Sequence, residues 1–97
     1  MLNLYVIYTT KPSMRQEFLN ALHGSGILEI IRNEEGCMMY ELFLSDSNEN
    51  ELLLIEQWTE PAYQQMHMQQ EHMKRFWEIK NRFVDASVLG RYEDISE

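Results

Sequence analysis

Apolar residues fill both parities of the opening segment. Leu2, Leu4, Val6 and Tyr8 occupy one face of Leu2–Thr9, and Tyr5 and Ile7 the other, as in a strand covered on both sides. Lys11-Pro12-Ser13 then opens a helix, with Pro12 at its first position, where a missing N–H costs nothing. Met14, Phe18 and Leu22 recur near helical spacing and mark its buried stripe. Gly24-Ser25-Gly26 interrupts it, and Ile27, Leu28, Ile30 and Ile31 make a short second helix, closed by Asn33-Glu34-Glu35-Gly36. Cys37–Leu44 and Leu52–Trp58 read as strands joined through the polar stretch Ser45–Asn50. Thr59-Glu60-Pro61 is a helix entry, with Thr59 as its cap. The helix runs to about Phe83 with a break near Met68, and His72, Phe76, Ile79 and Phe83 share one stripe of its second half. Val84–Tyr92 is a last strand, and Asp94–Glu97 a tail beyond an ordered core of residues 1–93.

The order strand, helix, strand, strand, helix, strand predicts an α+β fold, the ferredoxin-like split βαβ with its helices on one face of an antiparallel sheet. Two helices cannot cover both faces, yet Leu52-Leu53-Leu54-Ile55, like the first strand, is apolar at both parities. The second face therefore predicts a homodimer, two-fold pairing being the commonest arrangement. Its removal from water would contribute about 25 cal/mol per Å² before association costs.

The 97 residues, 44% of them hydrophobic, are one domain's worth of chain. A formal charge of −8 disfavours nucleic acid and anionic membranes, which are bound through Lys and Arg. No apolar run reaches the roughly 20 residues of a bilayer span. With the single cysteine Cys37 and no basic leader before the first strand, the expected setting is cytoplasmic.

Candidate chemistry gathers at Glu56-Gln57-Trp58, at His67 and His72, and at the tyrosines Tyr5, Tyr8, Tyr40 and Tyr63. Glu56 and Trp58 share a strand face, so a carboxylate and an indole could orient a ring-shaped ligand; the alternative is that Trp58 is core. His67 and His72, five apart, would stand about 140° from one another on a continuous helix and could not chelate one ion. Only a break at Met68 would bring them together, and no Cys or Asp completes a metal set. His72, on the apolar stripe, reads as a neutral ring, while His67 faces back toward Trp58 and is the better ligand contact. The methionines suggest an adaptable lining or ordinary gap filling. Gly24-Ser25-Gly26 lacks the spacing of a phosphate loop, so no nucleotide, flavin or metal cofactor is expected.

Glu34-Glu35-Gly36-Cys37-Met38-Met39-Tyr40-Glu41-Leu42, then Glu56-Gln57-Trp58, then His67 and His72 with Met73-Lys74-Arg75-Phe76, resemble the antibiotic biosynthesis monooxygenase family over nearly the whole chain. The resemblance implies a dimeric α/β barrel in which two sheets pack face to face, with a site between each sheet and its own helices. It implies Trp58 and His67 as catalytic positions, with Glu56, His72, Tyr5 and Tyr40 about a small aromatic substrate. Members include cofactor-free oxygenases of phenols and quinols, haem-degrading enzymes, and isomerases of small metabolites. The chain departs from the haem-degrading pattern at Tyr5, where that pattern has Asn, and from the polyketide oxygenases at Leu54. The expected activity is cofactor-independent oxidation of a small aromatic or quinol by O₂. An isomerase or other proton-transfer enzyme, and a non-catalytic binding dimer, are the alternatives.

Overall fold

Parity along the strands decides which side chains meet the helices. In the computed structural model, which describes residues 1–95, four strands form one antiparallel sheet: β1 (Leu2–Thr10), β2 (Cys37–Leu44), β3 (Glu51–Trp58) and β4 (Val84–Arg91). Their spatial order is β2-β3-β1-β4, the ferredoxin-like arrangement. The register sets Val6 opposite Leu54 and Leu89, and Tyr8 opposite Leu52 and Ser87. These residues lie on the helix-facing side, where Leu2, Val6, Tyr8, Leu52, Leu54 and Trp58 are buried.

The opposite face carries Tyr5, Ile7, Met39, Leu53 and Ile55, all half-buried, with the more exposed Phe43 and Val88 at its sides. This second apolar face, inferred from the double parity, is present as a continuous patch.

Four helices cover the first face: α1 (Arg15–Ser25), α2 (Ile27–Arg32), α3 (Pro61–Met68) and α4 (Met73–Phe83). Phe18, Leu22, Ile27 and Ile31 drive α1 and α2 into the core, and Phe76 and Ile79 do so for α4. Gly26, with φ 73°, makes the left-handed turn that separates α1 from α2.

Three local expectations are corrected. The first helix begins at Arg15, not Pro12, because residues 11–14 are tied into a turn: Lys11 N–H donates to the Phe83 carbonyl, and Ser13 N–H to Asn50 Oδ1. That second bond accompanies a left-handed Ser13, φ 65°. Met14 consequently faces solvent rather than the core. At α3 the cap position is Glu60, with Pro61 first in the helix; Thr59 instead gives its N–H to the Gly36 carbonyl. The expected break after Met68 is found.

Of the expected tail, residues 96–97 lie outside the described residues. Among the described residues no helix is long and apolar enough to cross a membrane.

Candidate active site

The sheet and the α3–α4 pair enclose a cavity of about 200 Å³. Alternate residues of the strands floor it: Leu4, Val6 and Tyr8 from β1, Tyr40 from β2, and Glu56 from β3. The helices roof it with His67 and Met68 from α3 and Met73, Phe76 and Trp77 from α4. The lining is thus mainly aromatic and aliphatic, with a few polar groups at chosen points, the usual composition of a small-molecule site.

Glu56 is the buried carboxyl of this cavity. Burial pushes its proton affinity above the ordinary carboxylate range, partly opposed by the hydrogen bond that Trp58 Nε1–H donates to Oε1 at 3.2 Å. Tyr8 and Tyr40 are raised well above an ordinary phenol, first by burial and then by the Glu56 carboxylate, so both hold their protons at neutral pH. Among the described residues no hydrogen bond contributes to either shift, and both side chains line the cavity.

His67 is the residue that α3 buries. Its ring centroid lies 4.8 Å from that of Trp58 and 5.7 Å from that of Tyr40. Behind it, Nδ1 is 2.8 Å from Glu34 Oε2, and the same oxygen is 2.9 Å from His72 Nε2. These are hydrogen-bond lengths, too short to admit an ion between the partners. Among the described residues no group of three or more His, Cys, Asp or Glu is arranged to hold a metal ion.

The α3–α4 break creates this convergence. Gln69, Gln70 and Met73 turn the chain through N–H bonds to Met66, His67 and Gln70, so His72 at the entry to α4 swings toward the partner of His67. Glu34 arrives from the turn before β2. There Gly36 adopts φ 82°, and a Cβ would collide with the Tyr63 ring. The turn is further pinned by the Thr59 N–H to Gly36 bond and by Tyr63 Oη donating to Glu35 Oε1.

The family model described as antibiotic biosynthesis monooxygenase (ABM) matches residues 1–78, which include all of the Glu34, Glu56, Trp58, His67 and His72 constellation. The chain belongs to the ABM family. YcnE of Bacillus subtilis (strain 168), whose name is that of a putative monooxygenase, is 30% identical over 97 residues, the full length of both chains. PA3566 from Pseudomonas aeruginosa shares the fold, with a TM-score of 0.84 at 22% identity over 98% of this chain and 94% of its own. A crystal structure described as an antibiotic biosynthesis monooxygenase also shares it, with a TM-score of 0.83 at 22% identity over 99% of this chain and 100% of its own.

Within this ABM chain the residues singled out from sequence divide into three groups. His67, Glu56 and Tyr40 meet at the cavity. Trp58 and His72 stand behind it: Trp58, expected to orient a ring-shaped ligand or else to be core, has no exposed surface and supports Glu56 and His67 from beneath. His72, expected as a substrate contact, is spent on Glu34. Tyr5 lies on the other face of the sheet, across Gly90, apart from the cavity. That placement is a correction with a simple cause, since Tyr5 has the parity of Ile7 rather than of Val6 and Tyr8.

Tyr8, one of the tyrosines noted from sequence, has the parity of Val6 and also lines the cavity; Phe76 and Trp77 line it too, and their place there required the helix placement. Cys37 is half-buried, and burial together with Glu34 and Glu56 pushes its thiol up, the opposite of an activated nucleophile.

Proposed function

We propose that this protein is a cofactor-independent monooxygenase that oxidises a small electron-rich aromatic, a quinol, with O₂. The observation that carries the reading is that Glu56 from the sheet and His67 from α3, both buried, line one apolar cavity. Its volume of about 200 Å³ suits a single ring, since a cavity of about 150 Å³ accepts benzene. Tyr40 and Phe76 offer aromatic surface to such a ring, and the protonated Tyr8 and Tyr40 phenols offer donors to its oxygens.

His67 accepts a phenolic proton, leaving the electron pair on the substrate oxygen. The electron-rich phenolate reduces O₂ by one electron, and the resulting radical pair combines at a ring carbon. Loss of water from that peroxide gives the hydroxyquinone. The balance closes without an external reductant: hydroquinone and O₂ yield hydroxybenzoquinone and water, the substrate supplying all four electrons. The apolar walls keep water from the intermediate. Trp58 acts from beneath, orienting Glu56 through its N–H and His67 through ring packing.

The working form in this proposal is a cytoplasmic homodimer, supported by the apolar outer face and by the family, whose members pair sheet to sheet. The same Glu56–His67 pair would serve a proton-shifting isomerase, which needs no oxygen. Turnover of hydroquinone in air and under argon separates the two. The proposal expects product in air and none under argon, and equal conversion in both would overturn it.

A further inference from the structure

A carboxylate accepts hydrogen bonds and cannot donate them. The two contacts of Glu34 Oε2 therefore come from Nδ1–H of His67 and Nε2–H of His72. For a neutral His67 this leaves Nε2 unprotonated, and His67 lines the cavity. An unconstrained imidazole in water favours the other tautomer, with the proton on Nε2. The protein has thus selected the form that can take a proton from a bound molecule.

Burial makes the selection consequential. The His67 side chain is 1% exposed, Glu34 11% and His72 22%. An imidazolium formed at His67 would be stripped of water, and the Glu34 carboxylate at 2.8 Å is the group placed to stabilise it. His72 adds a second donor to the same oxygen, fixing the carboxylate that fixes His67.

The geometry points to Glu34 as a positioning residue that holds His67 in its Nδ1–H tautomer and balances the charge it gains, with His72 holding Glu34. The catalytic part of this inference rests on the reading of His67 as proton acceptor; the tautomer part does not. In the step itself the substrate O–H breaks, the Nε2–H bond forms, and the Nδ1 proton stays on nitrogen, shared with Glu34.

Long-range ¹H–¹⁵N NMR of the full chain decides it, with His67 assigned by His67→Gln. At a pH where the ring is neutral, wild-type His67 is expected as the Nδ1–H tautomer, and Glu34→Ala is expected to return it to Nε2–H. Wild-type His67 protonated on Nε2, or a tautomer unmoved in Glu34→Ala, would overturn the inference. If Glu34→Ala does not fold, the wild-type spectrum alone decides. Where quinol turnover is measurable, Glu34→Gln is expected to lower kcat about 100-fold with KM changed less than about threefold; unchanged kcat would contradict the charge-balancing role. A wild-type chain without quinol turnover sinks the oxygenase reading and leaves the tautomer result standing.

Discussion

Trp58 touches the cavity only through others, so its replacement separates support from contact. Trp58→Phe keeps most of the ring and removes the N–H that holds Glu56 down. The Glu56 carboxyl should then titrate still higher, which is visible in a pH titration of its ¹³C carboxyl resonance. Trp58→Ala should cost about 3–5 kcal/mol, read by urea unfolding, as a wholly buried indole is lost. Glu56 itself gives a pH signature. Because its folded-state affinity for protons is raised, the stability it contributes is present below the ordinary carboxylate range and is lost as pH rises through its raised value. Relative to Glu56→Gln, the wild type should therefore lose stability between those two points, measured by denaturation at a series of pH values. A wild-type-to-variant difference that is flat with pH would contradict the burial argument. At this scale the sequence carried direction but not depth. Parity set Glu56 and Trp58 on one face, yet only the packing of α3 shows that one lines the cavity and the other lies under it. Tyr5 enters the expected site through the family resemblance, against its own parity, which groups it with Ile7.

The turn from α2 into β2 does more than connect elements, since it delivers Glu34 to the two histidines. Gly36 permits this through a positive φ and through the space Tyr63 occupies. Gly36→Ala should destabilise by at least about 1–2 kcal/mol from the backbone conformation alone, with the Tyr63 clash added. It should also loosen His67, seen as a change in the imidazole resonances. A stable variant with an unchanged His67 spectrum would show that the turn is not what seats Glu34. The helix break was legible at Met68, and with it the condition under which His67 and His72 could meet. Their shared partner was not legible, because Glu34 lies more than thirty residues earlier and only tertiary packing brings it in. The start of α1 departs from expectation for a similar reason: Pro12 suits a helix start, but the bonds that Lys11 and Ser13 N–H donate to Phe83 and Asn50 hold that stretch as a turn.

For the whole molecule, the apolar outer face was written in the double parity of β1 and β3, and the fold places it as expected. If that face joins two copies, Ile55→Asp should convert a dimer to a monomer in sedimentation velocity while leaving the helix-side cavity in place. A dimer that survives the change would put the contact elsewhere. The cavity between sheet and helices is the part of the molecule from which the proposed chemistry follows, in which the substrate alone reduces O₂. The most direct measurement is hydroquinone turnover by chelator-treated protein under ¹⁸O₂, with the product read by mass spectrometry after quenching. One ¹⁸O atom is expected in the hydroxyquinone, with the other in water. Product formed without ¹⁸O from the gas would contradict it.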